Sequence, residues 1–340
     1  MQLNKEKLLK LINFPLISIV VPNFNGLHFL KKSIPSLIKT NYPNLEIIII
    51  DNGSTDKSVS FLKTNYPSII IIKFKHNMGI SFAFNVGLKV SSGRYISFLN
   101  NDMEFDPNWL LPLFLTLRNN DKIAGCDSKY LNYYDRKRID QSGGAGRFMD
   151  RFGNAFNRGG GEYDKGQYET SQKVFHGLSL FKKDLIMQAG GFDDKFFAYY
   201  DETDLCWRLH RMGYDIQYVP ESRVYHVGGG TTKKFKAFFT FHYYKNKLRM
   251  LIKNNFGFAL LFSILIYFFD LLVTIIGYIL TKNPLTILIA LKAVFWNIKN
   301  IKDTLAHRKQ LSSMNPDLSH LFLPYYGIVR SLAMKLRDNI

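Results

Sequence analysis

Between residues 16 and 126, short apolar runs alternate with stretches whose apolar positions recur at helical spacing. Residues 17–21, 45–50, 69–73 and 95–99 are rich in Ile, Val and Tyr and bounded by Gly, Asn, Asp or Pro, the pattern of strands. The run Glu46-Ile47-Ile48-Ile49-Ile50-Asp51 shows no alternation, as expected of a strand covered on both faces. Residues 27–40, 55–64 and 81–91 read as the intervening helices, with Ser54, Thr55 and Asp56 as a capping start for the second. Pro35 falls inside the first and is expected to kink or shorten it. Strand and helix in alternation predict an α/β fold, a mostly parallel sheet with helices on both faces.

Residues 127–173 lose this pattern. They are polar and rich in Gly, including Gly143, Gly144, Gly153 and Gly159 to Gly161, and are expected to form loops or a mobile flap. Order returns over 174–230, with a helix at 202–212. Residues 233–255 carry seven Lys or Arg, among them Lys245, Lys247, Arg249 and Lys253, interleaved with Phe and Tyr and without one acidic residue. Residues 258–280 are nearly all apolar, broken by Asp270, and 285–298 form a second apolar run containing Lys292. The expected organisation is an N-terminal extension (1–15), an α/β body (16–232) divided near 126, a basic aromatic linker helix (233–256), a hydrophobic helical hairpin (257–298) and a basic tail (299–340).

Composition narrows the class. With 340 residues, 46% hydrophobic, 29 Phe and 19 Tyr, the chain can bury a large core, which excludes a disordered protein or a small stapled scaffold. Lys and Arg number 45 against 27 Asp and Glu, a net charge of +18, which suits nucleic acid, an anionic membrane surface or phosphorylated substrates. Cys126 and Cys206 stand in apolar contexts and read as core thiols, so no disulfide framework or zinc site is expected and a reducing cytosol fits. Residues 1–15 lack the long apolar segment and small-residue cleavage site of a secretory signal.

Ligands of open α/β sheets bind at the carboxyl ends of the strands. Three predicted strands end in polar residues: Pro22-Asn23-Phe24-Asn25-Gly26, Asp51-Asn52-Gly53-Ser54 and Asn100-Asn101-Asp102. The first is followed by no G-x-G-x-x-G, and no G-x-x-x-x-G-K-[ST] occurs, which argues against a dinucleotide oxidoreductase and a P-loop NTPase. Asn amides and the Asp51 carboxylate can instead hydrogen-bond a base or ribose.

These segments, followed in order by Asn77-Met78-Gly79, Asn85-Val86-Gly87, Ser92-Gly93-Arg94-Tyr95, Gln141-Ser142-Gly143, Gly190-Gly191-Phe192-Asp193, the run Phe196 to Leu205, Arg208, Val219-Pro220 and His226, resemble the family-two glycosyltransferases, especially the branch of bacterial rhamnosyltransferases. The resemblance covers roughly residues 16–255 and implies a GT-A fold, Rossmann-like with a mostly parallel sheet. It implies that Pro22, Asn23, Asn25, Asp51 and Asn101 hold the nucleotide of an activated sugar, with Asn77, Gly79, Asn85 and Gly87 shaping the loop and helix beneath its ribose and phosphates. Turn and capping work is the alternative for those four. Asp102 resembles the last acid of a D-x-D motif that ligates a divalent ion, here with Asn100 in place of the first acid. His226 resembles the family's late His, a further ligand to the ion or the diphosphate, with a structural role as the alternative. One carboxylate suffices for Mg²⁺ or Mn²⁺ if the donor's phosphates complete the shell.

In the cluster Asp201-Glu202-Thr203-Asp204 the family places its general base, usually as Glu-Asp; the order is swapped here, so Glu202 is the expected base and Asp201 the runner-up. Plain complementation of a helix dipole is the bland alternative. Asp204 and Arg208, four apart, suit an ion pair of a few tenths of a kcal/mol if exposed. Such a set fits an inverting displacement at an anomeric carbon, with a nucleoside-diphosphate sugar as donor. The resemblance implies a saccharide acceptor linked to a polyprenyl diphosphate.

The run 258–280 is long enough to span a bilayer, at about 20 residues required. Asp270 costs about 2.5–3.5 kcal/mol at its centre. Basic flanks on both sides favour a hairpin or in-plane helices on the cytoplasmic face, drawn to anionic lipid, over a single span. A pair of soluble helices packed on the body is the alternative. Two rival functions remain: a membrane-bound sugar-nucleotide-binding protein without catalysis, motivated by Asn100 and the swapped acids, and an RNA-binding protein. The second lacks any RRM, KH or zinc-knuckle signature, so no nucleic-acid partner is expected.

Overall fold

The computed structural model describes residues 13–228, 236–280, 284–311, 318 and 321–323; residues 1–12 of the expected extension, Lys233 and Lys234 of the linker, and most of the 299–340 tail lie outside them. The first half gives β1 (Ile17–Asn23), α1 (Leu27–Ile38), β2 (Leu45–Asp51), α2 (Ser58–Asn65), β3 (Ile70–Lys73), α3 (Ile80–Val90) and β4 (Tyr95–Phe98). There follow β5 (Met103–Phe105), α4 (Leu110–Asn119), β6 (Ile123–Asn132), β7 (Arg147–Asp150), β8 (Ala155–Asn157), β9 (Gln172–Val174), β10 (Leu180–Lys182), α5 (Lys183–Gln188), α6 (Asp201–Arg211) and β11 (Asp215–His226). The C-terminal part comprises α7 (Lys236–Asn254), α8 (Gly257–Leu280), α9 (Pro284–Lys299), α10 (Ile301–Leu311) and β12 (Phe322–Leu323).

The main sheet runs β3-β2-β1-β4-β10-β6-β11-β5, with β9 on the flank of β11. β3, β2, β1 and β4 are mutually parallel, and β6 is parallel to β11. β10, β5 and β9 oppose their neighbours. The period of two along each strand builds two cores. Ile17, Ile19 and Val21 of β1 and Ile49 of β2 face the side of α1 and α4, while Val20, Ile48 and Ile50 face that of α3, α5 and α6. Both Cys126 and Cys206 are buried in these layers.

Several local expectations are corrected. α1 continues through Pro35 and ends at Ile38. α2 starts at Ser58 rather than 55, because Asp56 is used otherwise: it accepts from the Leu27 amide (3.1 Å) and the Ser58 amide (3.0 Å), tying the loop after β1 to the helix start. α6 begins at Asp201, one residue earlier than expected. The 127–173 stretch is not an open flap. β6 carries Asp127, Ser128 and Lys129 into full burial, and the Lys129 ammonium holds Asp164 (2.9 Å) and Glu169, fastening the Gly-rich segment to the sheet. A three-stranded sheet, β12-β7-β8, forms there.

The largest correction concerns the basic stretch. Lys245, Lys247, Arg249 and Lys253 are not a lipid-facing flank; all four are buried. Arg249 reaches Asp193 (2.8 Å) and Asp303 (2.7 Å), Lys253 bridges Asp193 (2.7 Å) and Asp204 (2.9 Å), and Lys247 meets Asp270 (3.4 Å). The expected Asp204–Arg208 pair forms (3.0 Å), and it is buried and joins the same network. α7 is thus welded to the body by ion pairs, and α8 and α9 pack on α7 through Tyr244, Tyr267, Leu271, Ala290 and Ala293. The outer faces of α8 and α9 leave Phe258, Leu261, Leu265, Leu272, Leu288 and Phe295 exposed. α9 and α10 are bent by 64° at their break.

Candidate active site

The carboxyl ends of β1, β2 and β4 meet at Asn23. Parallel register sets Asn23 opposite Asp51. The Asn23 amide donates to Asp51 Oδ1 (3.4 Å) and Ser54 Oγ (3.2 Å), and its Oδ1 accepts from Asn101 Nδ2 (2.8 Å). Gly26 is required here: a Cβ would lie 2.2 Å from Asn101 Nδ2 and 2.4 Å from Asn23 Oδ1. Asn25, at φ 50°, accepts from the Thr55 (2.8 Å) and Asp56 (3.2 Å) amides. Asp51 is fully buried, its second oxygen accepting from the Ser54 amide (3.2 Å).

A second ring of bonds fixes the 77–79 turn. Asn52 donates to the Gly79 carbonyl (3.1 Å) and accepts from the Met78 amide (2.8 Å), while Asn77 Oδ1 accepts from the Gly79 amide (2.9 Å). Asn77 therefore does turn work. So does Asn85, whose side-chain amide is taken up by Phe192 (2.8 Å from each backbone atom) and Asp194 (2.6 Å); it braces α3 against the 190–194 turn rather than facing the strand ends.

Where β5 and β11 pair, His226 lies opposite Met103 and so beside Asp102. Its Nε2 is 3.5 Å from Asp102 Oδ2 and its Nδ1 3.1 Å from Asp140 Oδ1. Burial opposes charge on the imidazole, but hydrogen bonds and charges of Asp102 and Asp140 outweigh it and push the pKa up to about 10. A place that keeps a cation between two carboxylates is built for positive charge. Asp102 Oδ1, buried, has no hydrogen-bond partner among the described residues, an open oxygen suited to a hard cation. Asn100 is exposed at the same turn. Among the described residues no cluster of three His, Cys, Asp or Glu has metal-binding geometry, so a cation here needs oxygens brought by a ligand.

The acid pair opens α6. Asp201 is buried, and burial, then the Glu202 charge, holds its carboxyl well above the usual range. Glu202 is partly exposed, with Oε1 3.5 Å from Arg147 Nη1. Arg147 also donates from Nε and Nη2 to the fully buried Asp127, both at 3.0 Å, and lies over the Tyr130 ring. Before the pair, Phe197 (φ 64°), Tyr199 (φ 69°) and Tyr200 (φ 64°) occupy the left-handed region, at about 1–3 kcal/mol each. This loop touches the 77–79 turn: the Ile80 amide donates to the Phe197 carbonyl (2.6 Å), and a Cβ on Gly79 (φ 91°) would come within 2.7 Å of that oxygen. Tyr130 joins the other side. Its carbonyl accepts from the Asp140 amide (2.9 Å) and its ring lies under Arg147, so the His226 and Glu202 neighbourhoods share one strand.

Asp127, Asp140 and Arg147 escaped the sequence reading. Asp140 adjoins the motif Gln141-Ser142-Gly143, the signal from which it was accessible; Asp127 and Arg147 lie in the stretch read as loop.

A sequence profile of glycosyl transferase family 2 matches residues 18–190. An uncharacterized glycosyltransferase of Rickettsia prowazekii, RP339, is 26% identical over 222 residues, 62% of this chain and 64% of that protein. The UDP-Glc:alpha-D-GlcNAc-diphosphoundecaprenol beta-1,3-glucosyltransferase WfgD of Escherichia coli is 33% identical over 107 residues, 31% of this chain and 42% of that protein. The chain thus spans less than two thirds of the length of the curated relatives it matches. Among solved structures, the mannosyltransferase PcManGT from Pyrobaculum calidifontis, in complex with GDP-Man and Mn²⁺, superposes with a TM-score of 0.52 at 16% identity, over 89% of this chain and 82% of that one. At that identity the likeness is one of fold, the GT-A-like α/β architecture.

Proposed function

The chain belongs to glycosyl transferase family 2, and from that premise we propose that it transfers a sugar, with inversion, from a nucleoside-diphosphate sugar to a hydroxyl of a polyprenyl-diphosphate-linked saccharide. The observation that carries this reading is the junction at Asn23, where three strand ends meet beside the Asp102–His226 pair. Pro22, Asn23, Asn25, Asp51 and Asn101 line the place of the nucleotide, with the 77–79 turn beside it. The branch resembled makes rhamnose the first sugar to try. PcManGT was solved with a sugar nucleotide and Mn²⁺, and WfgD is named for a diphosphoundecaprenol-linked sugar, in keeping with this donor, cation and acceptor class.

Asp102 and His226, with Asn100 at the rim, would hold Mg²⁺ or Mn²⁺. Such an ion, when bound, neutralises charge on the departing diphosphate. For His226 to ligate, its Nε2 would have to give up the proton it shares with Asp102, so that proton would be replaced by the ion. Asp140, accepting from Nδ1–H, would fix the tautomer that leaves Nε2 to the ion. Glu202 takes the proton of the acceptor hydroxyl; that oxygen bonds to the anomeric carbon as the bond to the diphosphate oxygen breaks and the nucleoside diphosphate leaves with the electron pair. Asp201 is buried, whereas Glu202 is partly exposed beside Arg147, and that access favours Glu202 as the group an acceptor hydroxyl reaches.

The exposed apolar faces of α8 and α9 suit attachment to the cytoplasmic face of a membrane. Ser263, Tyr267 and Asp270 of α8 bond to Asn255, Tyr244 and Lys247. α8 is therefore laid along α7, and crossing a bilayer would drag α7 from the body, so an in-plane seat is favoured over a span.

The test is a panel of UDP-glucose, GDP-mannose and dTDP-rhamnose with Mg²⁺ or Mn²⁺. Glu202→Gln should abolish transfer while leaving donor binding intact. Transfer at the wild-type rate would overturn the base assignment, and a wild type that binds a donor but never transfers would make the chain a sugar-nucleotide-binding protein.

A further inference from the structure

We infer that Asn246 of α7 is a positioning residue for the base, clasping the strained loop that sets the direction of Glu202; this rests on the proposed role of Glu202. The loop from Phe196 to Tyr200 enters α6 through three left-handed non-glycine residues, a conformation that persists only where its surroundings impose it. α7 imposes it. The fully buried Asn246 amide donates to the carbonyls of Phe196 (3.0 Å), Ala198 (2.7 Å) and Tyr199 (2.8 Å). Its own Oδ1 has no partner among the described residues, so the side chain acts through its donors.

Two neighbours on α7 complete the clasp. Lys245 Nζ donates to the Lys195 carbonyl (2.6 Å), and the His242 ring stacks on Phe197 with Nδ1 3.2 Å from the Phe196 carbonyl. From the opposite side, the Ile80 amide holds the Phe197 carbonyl. The loop is therefore gripped between the turn beside the donor and a helix welded to α8 and α9. Asp201 and Glu202 follow directly from Tyr200, with no residue in between to absorb a change in its φ.

Without the amide, the loop can relax toward negative φ and swing Glu202 off its line. Asn246→Ala should bind UDP, GDP or dTDP within about twofold of wild type, because Asn23, Asp51 and Asp102 are untouched. Its turnover of dTDP-rhamnose, or of whichever panel sugar the wild type uses, should fall about 10- to 100-fold, the scale for a misplaced reacting group. Asn246→Gln, which keeps the donors, should recover part of it. Should Asn246→Ala fail to fold, Lys245→Met removes the donations to the Lys195 (2.6 Å) and Phe196 (3.4 Å) carbonyls while leaving the Asn246 bonds in place, and should show the same split with a smaller loss. Wild-type turnover in a folded Asn246→Ala, or a fall in nucleotide binding equal to the fall in turnover, would overturn the inference while leaving the base assignment standing. Wild-type turnover in Glu202→Gln would overturn both.

Discussion

Arg147 reaches Glu202 at 3.5 Å with one nitrogen while two others hold Asp127 at 3.0 Å. The buried Asp127 fixes the guanidinium, and the longer contact leaves Glu202 free to turn toward an incoming hydroxyl. Two roles are thereby combined in one side chain, support of the core and orientation of an acid.

Arg147→Met should separate them. It strands a buried carboxylate, at about 3–5 kcal/mol. Adding Asp127→Asn, which removes the stranded charge and keeps an acceptor for the Leu178 amide (3.2 Å), should restore most of the melting temperature and none of the turnover. Recovery of both together would assign Arg147 to the core alone.

Asp140→Asn should weaken the cation site without touching a proposed ligand. Loss of a carboxylate behind a ligating His lowers metal affinity about 10- to 100-fold. The readout is the Mn²⁺ concentration at half-maximal nucleotide binding, and an unmoved midpoint would remove Asp140 from the site.

Acid should loosen the weld between α7 and the body. Burial by itself raises the Asp193 carboxyl, but Lys253 and then Arg249 outweigh it and hold it well below the ordinary range. A carboxylate lowered in this way contributes stability above its unfolded value and loses it as pH falls below about 3.9 toward the folded value. Circular dichroism melts should therefore drop steeply below about pH 4. Asp193→Asn, less stable at neutral pH, should fall less steeply, and parallel curves would count against the linkage.

Leu261→Lys, Leu265→Lys and Leu272→Lys together, all on the exposed face of α8, should abolish sedimentation with anionic vesicles and leave the melting temperature unchanged. Deletion from Phe258 is a poorer probe. It uncovers Tyr244 and Leu248 and takes Asp303 from Arg249, so the shortened chain should melt lower. Vesicle binding by the triple variant would remove this face from the membrane contact.

The strand ends were legible because each is a polar residue that closes an apolar run, and parallel pairing brings such ends to one edge. The three-residue delay of α2 was not, because Asp56 answers to Leu27, twenty-nine positions away. Lys245, Lys247, Arg249 and Lys253 misled most. Four cations between 245 and 253 without an acid among them read as a lipid-facing flank, yet Asp193 lies 56 residues before Arg249 and Asp204 49 before Lys253. A pattern read locally cannot register a counter-ion supplied from so far off. Gly-rich sequence misled similarly over 127–173, where Lys129 buries its charge against Asp164.

Because α7 is clamped to the body on one flank and carries α8 and α9 on the other, a bilayer under those two helices would meet the protein as a stiff plinth rather than through a tether. The altitude of Glu202 above the lipid would then be constant, and an acceptor would be selected by how many sugar units lift its free hydroxyl to that level.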